Sequence, residues 1–153
     1  MYIISACLLG ENCKYSGGNN KCSWVCEFAE SHDIVPVCPE VAGGLPTPRA
    51  PSEIIKTNDE KRVVDKEGKD VTENFKNGAV ISLKKAEEEA EKCGKTLKRA
   101  ILKACSPSCG SGLIYDGTFS KVLVPGNGVF AEMLKEHGIP VISENDESEK
   151  NNL

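Results

Sequence analysis

Short apolar runs recur along this chain with helical stretches between them, and that alternation constrains the fold more than any other feature. Tyr2–Ala6, Ile34–Val37, Arg99–Ala104 and Ile139–Ser143 read as strands. Apolar runs of this length, bounded by turn residues, suit strands buried on both faces. Lys21–Ser31, Thr72–Cys93 and Gly126–His137 read as helices. Cys22, Val25, Cys26 and Ala29 fall on one face of the first, and Phe75, Ala79, Leu83, Ala86 and Ala90 form one stripe of the second. Thr72 is the expected N-cap of that long helix and Gly94 its stop, with Gly78 and Glu87–Glu89 turned to water. Glu53–Lys56 and Arg62–Lys66 predict a hairpin turning at Asn58-Asp59, and Leu113–Gly117 and Phe119–Val124 are expected to be extended. The order predicts an α/β fold: a single Rossmann-like domain over residues 1–143, with a mainly parallel sheet, flanking helices and a small hairpin insertion. Residues 144–153 are acidic and asparagine-rich and are expected to form a disordered tail.

A parallel sheet has a chemical consequence here. Its strands all end on one edge, and ligands of open α/β sheets bind in the crevice outside those ends. Cys7, Cys38 and Cys105 each follow a strand directly, and Cys109 lies four residues beyond Cys105. The segment Ala104–Gly112 is built of small polar residues, two glycines, a proline and two thiols, more than a turn requires. Three separate loops therefore carry thiols to one rim. Glu40 follows Cys38 by two residues and is a candidate acid–base carboxylate. Ser106 and Ser108 are either turn residues or substrate contacts. Arg49, set among prolines, is either a structural brace or a site for an anionic group. Gly126-Asn127-Gly128 precedes a helix but lacks the rest of a phosphate-binding motif and reads as a loop.

Composition narrows the chemistry. Eight cysteines and only two histidines, in a chain with no recognisable signal peptide at Met1–Ala6, point to a reducing, cytoplasmic setting and to metal binding or catalysis rather than disulfides. Thiolate-only ligation favours zinc or an iron–sulfur cluster, and spacing leans towards the cluster without excluding zinc. Cys93 reads as a small buried hydrophobe, and so do Cys22 and Cys26, for which a redox pair is the competing role; Cys13 stays undecided. A net charge of −4 argues against a nucleic-acid polymer as partner. No apolar run approaches the roughly 20 residues of a membrane span.

Several motifs together carry a resemblance. Ser5-Ala6-Cys7-Leu8-Leu9-Gly10, Lys14-Tyr15-Ser16-Gly17-Gly18, Val37-Cys38-Pro39-Glu40, Gly43-Gly44-Leu45-Pro46-Thr47-Pro48-Arg49 and Ser106-Pro107-Ser108-Cys109-Gly110 occur in this order. The chain resembles the thiouracil desulfurase family over residues 3 to about 143. The resemblance implies an oxygen-sensitive 4Fe–4S cluster held by three cysteines, here Cys7, Cys38 and Cys109, with Cys105 a bystander. It implies that the fourth iron takes the sulfur of a small thiocarbonyl substrate in a non-redox role. Water activated by Glu40 would attack the carbon, Ser106 would hold the substrate or intermediate, and Ser108, Tyr15 and Arg49 would contact the substrate. Ser16 stands where the family more often has aspartate. The readings kept beside this one are a non-catalytic iron–sulfur or zinc protein acting as sulfide carrier or regulator, and a thiol redox protein using Cys22/Cys26 or Cys105/Cys109.

Overall fold

The computed structural model describes residues 1–58 and 60–153, so Asp59 of the expected Asn58-Asp59 turn lies outside the described residues. Four strands make a parallel sheet: β1 (Tyr2–Ser5), β2 (Ile34–Val37), β5 (Arg99–Leu102) and β8 (Val141–Ser143), in the order β2-β1-β5-β8. Two antiparallel hairpins are separate from it, β3 (Ser52–Thr57) with β4 (Glu60–Asp65), and β6 (Leu113–Tyr115) with β7 (Leu123–Pro125). The helices are α1 (Ser23–Ser31), α2 (Pro39–Ala42), α3 (Thr72–Lys92) and α4 (Val129–Glu136). This is the α/β architecture the alternation implied. Pro36 lacks an N–H for the ladder, and β2 is accordingly an edge strand.

Side chains alternate across the sheet and build one core on each face. Ile3, Val35, Val37, Ala100 and Leu102 pack with Ala79, Leu83, Phe130 and Leu134 of α3 and α4. Tyr2, Ile4 and Ile101 pack on the other face with Trp24, Val25 and Phe28 of α1. Phe75 and Phe130 are fully buried, each contributing about 1.5–3 kcal/mol by removal from water. A third cluster, Ile54, Val63, Val71, Phe75 and Ile114, fastens the β3–β4 hairpin to α3 and to β6. No helix among the described residues is long and apolar enough to cross a membrane.

Four local expectations are corrected. Thr72 is not the N-cap of α3; Val71 holds that position, and the buried Thr72 hydroxyl accepts the Val63 N–H at 2.9 Å while Asp70 Oδ1 accepts the Thr72 N–H at 2.9 Å. Gly78 does not face water. It is buried against α2, where an added Cβ would come within 1.8 Å of the Pro39 carbonyl oxygen. Cys93 is exposed rather than buried, because it caps α3 where the chain turns away at Gly94. The tail is folded back as well. Glu147–Asn152 forms a 3-10 turn, the Glu144 carbonyl accepts the Trp24 indole N–H at 2.9 Å, and Lys150 and Glu149 pair with Glu27 and Arg99.

Candidate active site

The chain leaves β1 to one side, to β2, and later enters β5 on the other side of β1. The order thus reverses between β1 and β5, and a crevice opens there at the carboxyl ends. Cys7 follows β1 and Cys109 follows β5, so the two flank that switch point.

The loop after β5 is shaped by α4. The first turn of a helix has N–H groups without intrahelical partners. Here Gly128 and Val129 give theirs to the carbonyls of Gly110 and Pro107, and Phe130 and Ala131 both give theirs to Ser108. A Cβ at Gly128 would meet the Ser108 carbonyl oxygen at 2.6 Å, so the glycine lets the two backbones touch. The Gly126-Asn127-Gly128 segment therefore holds the protein's own cysteine loop: Asn127 Oδ1 accepts the Gly112 N–H at 2.9 Å. Inside the loop, Ser106 Oγ accepts the backbone N–H groups of Ser108 and Cys109 at 3.2 and 3.1 Å.

The loop after β2 is set by helix contact. Cys38 precedes α2, with Pro39 as its first residue, a position where the missing N–H costs nothing. Gly78 lies against Pro39 and Gly43 against Asn74, each too close to admit a side chain, and Asn74 Nδ2 donates to the Gly43 carbonyl at 2.9 Å. Two glycines thus bring α2 onto α3 backbone to backbone and fix where Cys38 and Glu40 stand.

Glu40 is held from both sides. Arg49 Nε donates to Glu40 Oε1 at 3.1 Å, and Ser108 Oγ donates to Oε2 at 2.9 Å. A carboxylate only accepts, so the Ser106–Ser108 hydroxyl contact at 2.9 Å runs with Ser106 as donor. Arg49 directs its remaining bonds to the Pro46 carbonyl, the Thr47 hydroxyl and, at 2.8 Å, the Cys13 carbonyl. Two of the expected substrate contacts, Arg49 and Ser108, stand in the cavity wall and support Glu40. The Arg49 side chain is 6% exposed with four bonds to protein, and Ser108 is 2% exposed behind Glu40. Tyr15, 48% exposed, stands in the wall, and its carbonyl accepts the Arg49 N–H.

The thiols form one network. Contact with the Cys13 thiol draws the thiols of Cys7 and Cys38 each down to about 7. The same contacts, Cys38 first, push Cys13 up. Burial pushes the Cys109 thiol up to about 12, with the neighbouring Ser5 and Ser108 hydroxyls acting the other way. The Ser108 hydroxyl lies 3.6 Å from Cys109 Sγ and so touches both the carboxylate and a thiol.

These groups surround a cavity of about 550 Å³, within the usual range for small-molecule sites. Cys7, Cys13, Cys38, Cys105, Cys109, Glu40, Arg49, Ser106, Ser108 and Tyr15 all contribute to its wall. Among the described residues, no three His, Cys, Asp or Glu side chains converge as a single metal ion would require. The donor set is soft sulfur spread round a cavity, which fits a polynuclear iron–sulfur group better than a lone hard cation. Cys105 sits at the strand end with φ +62° and forms an isolated bridge to Ile114. Cys22 and Cys26 lie apart from this wall, on α1 and its N-terminal boundary.

Residues that sequence reasoning missed complete the wall. Lys103 pairs with the Glu144 carboxylate, which also accepts the Ala104 N–H at 2.7 Å. Glu53, 8% exposed, accepts the N–H groups of Gly117 and Phe119 at 3.0 and 3.1 Å and so holds the β6–β7 connection, with Phe119, at the cavity. Glu144 follows β8 directly, which was the available signal.

An α/β domain with a thiol-rich cavity at its sheet's switch point and a braced carboxylate inside it defines a class: a small-molecule site built for sulfur ligation. Comparison with known proteins gives the family. The model of the 2-thiouracil desulfurase family matches residues 2–146, and the chain belongs to that family. It is 40% identical to the uncharacterized protein YbbK of Bacillus subtilis (strain 168), over 95% of this chain and 97% of that protein. It is similar to the solved structure of the 4Fe–4S-dependent thiouracil desulfidase TudS, with a TM-score of 0.80 and 39% identity over 98% of this chain and 94% of that one.

Proposed function

We propose that this protein is an iron–sulfur-dependent desulfidase that converts the thiocarbonyl of a thiouracil-type base, with water, into a carbonyl and hydrogen sulfide. Cys7, Cys38 and Cys109 hold a 4Fe–4S cluster, and Cys105 does not. When bound, the cluster supplies a Lewis-acidic iron without a protein ligand, soft enough to take and polarise the thiocarbonyl sulfur.

The protein's part is acid–base and positional. Glu40 accepts a proton from the attacking water. Arg49 and Ser108 hold its two oxygens, so the carboxylate is aimed before substrate arrives. Ser106 stands at the start of the hydroxyl chain that ends on Glu40, and in this reading it contacts the substrate. Tyr15 lies at the exposed margin and contacts the base. Support for the reading comes above all from Ser108, whose hydroxyl touches both Glu40 and Cys109 and so ties the base to the thiol wall.

Anaerobically reconstituted protein is expected to release sulfide from 2-thiouracil. Glu40→Gln puts an amide of the same shape in the carboxylate's place and removes the base, so cluster absorbance stays and sulfide release falls about 10²- to 10⁴-fold. A Glu40→Gln variant as fast as wild type would remove Glu40 from the chemistry. Loaded wild-type protein that turns over no thiocarbonyl would overturn the enzymatic reading.

A further inference from the structure

The aromatic residues of this chain divide cleanly between its cores and its cavity. Tyr2, Trp24, Phe28, Phe75 and Phe130 belong to the packed clusters on the two faces of the sheet and between the β3–β4 hairpin and α3. The remaining aromatic residues of the sequence are Tyr15, Tyr115 and Phe119, and each contributes to the cavity wall. Phe119 differs from the other two in its backbone. Its φ is +56°, and Lys121, also in the wall, has φ +61°. A Cβ crowds the backbone in this left-handed region, and a bulky residue there is a genuine outlier. Phe119 belongs to no core cluster among the described residues, so core packing does not offset the strain.

The conformation is imposed from β3. Glu53, 8% exposed, accepts the N–H groups of both Gly117 and Phe119 on one oxygen, Oε1, at 3.0 and 3.1 Å. Gly117 lies so close to β3 that an added Cβ would meet the Ile54 carbonyl oxygen at 3.0 Å. The Asp116 N–H closes the connection on the Val122 carbonyl at 3.0 Å. A strained residue that its surroundings hold in place, at the wall of a ligand cavity, points to a use for its side chain there.

We propose that Phe119 is a specificity-determining residue whose ring stacks on the heteroaromatic ring of the substrate, so that the site selects cyclic thiocarbonyl compounds over acyclic ones. Glu53 is a positioning residue that acts through it. The proposal rests on the reading of the substrate as a thiouracil-type base. Every base has a π face, and aromatic side chains stack on it whatever its substituents. Thiourea carries the same N–C(=S)–N unit as 2-thiouracil and has no ring to stack.

The test uses anaerobically reconstituted full-length protein and the variants Phe119→Tyr, Phe119→Leu, Phe119→Gly, Glu53→Ala and Glu53→Gln. Uracil binding is read by calorimetry, and kcat and KM are measured on 2-thiouracil and on thiourea. Leucine keeps apolar bulk without a π face. It is expected to weaken uracil binding, and to reduce the preference for 2-thiouracil over thiourea in kcat/KM, by about 5- to 150-fold, the span of one lost stack. Tyrosine keeps the face and is expected to hold both. Glu53→Ala should follow leucine, and Glu53→Gln, which retains an acceptor, should restore the preference. Phe119→Gly loses the ring but relieves the backbone. Its midpoint in urea is expected at or above wild type while uracil binding falls. Leucine and glycine variants that bind uracil as wild type does, or that lose activity on both substrates in equal proportion, would overturn the proposal. A glycine variant less stable than wild type would also overturn it, by making Phe119 a packing residue, as would wild-type protein that binds no uracil. Wild-type protein that binds uracil through Phe119 yet releases no sulfide from any thiocarbonyl would defeat the desulfidase reading alone and leave the ring contact standing.

Discussion

The guanidinium of Arg49 reaches Glu40 Oε1 at 3.1 Å with Nε while its Nη2 reaches the Cys13 carbonyl at 2.8 Å. The planar fork satisfies both at once, which a lysine's single ammonium on a flexible stem cannot reproduce. Arg49→Lys is therefore expected to retain the cluster and to lose about 10- to 100-fold in sulfide release, the usual cost of removing a partner that orients a site group. Steady-state rates beside cluster absorbance check this, and an unchanged rate would remove Arg49 from the positioning of Glu40.

Gly78 sits inside α3, where alanine ordinarily gains about 1 kcal/mol over glycine. Here the added Cβ would lie 1.8 Å from the Pro39 oxygen, and moving α2 away costs about 1–3 kcal/mol as overpacking does elsewhere. The close contact wins, so Gly78→Ala is expected to lower stability in urea unfolding. Asn77→Ala, one residue away on the exposed side, should stay within about 0.5 kcal/mol. Because Pro39 lies between Cys38 and Glu40, the Gly78 variant should also bind less iron.

Asp70 offers a pH test remote from the cavity. Hydrogen bonds from Thr72, with the Arg62 guanidinium added, hold its carboxyl down to about 2 against an ordinary value of 3.8. A carboxylate with a lowered value in the folded state stabilises fully above its unfolded value and loses that contribution as pH falls through the folded one. Wild type should therefore melt above Asp70→Asn at neutral pH, with the gap closing between pH 4 and about 2. Melting temperatures of both proteins across that range check it. A gap that stays constant to pH 2 would mean that the Asp70 charge contributes nothing.

The sheet and the thiol wall were legible because both follow from local pattern. Apolar runs such as Ile3-Ile4 and Ile101-Leu102 mark strands, and parallel strands bring Cys7, Cys38 and the Cys105–Cys109 loop to one edge without further information. Gly78 was misplaced because helical periodicity puts a residue with no side chain on either face, and only the approach of Pro39 decides the matter. Glu144 was hidden by its acidic surroundings, although it stands directly after β8 and so obeys the same strand-end rule as Cys7 and Cys38. Arg49 and Ser108 were legible as polar residues near the site. Whether they face a ligand or support Glu40 depends on burial, which sequence does not carry.

Metal and acid-labile sulfide analysis of anaerobically purified protein, with serine substituted in turn at Cys7, Cys38, Cys109, Cys105 and Cys93, tests the central claim most directly. Wild type is expected to carry about four irons and about four sulfides per chain, as a cubane requires. Cys7→Ser, Cys38→Ser and Cys109→Ser should each lose most of that content, while Cys105→Ser and Cys93→Ser should keep it. Stoichiometric zinc in place of iron, or a full cluster in all three ligand variants, would contradict the account.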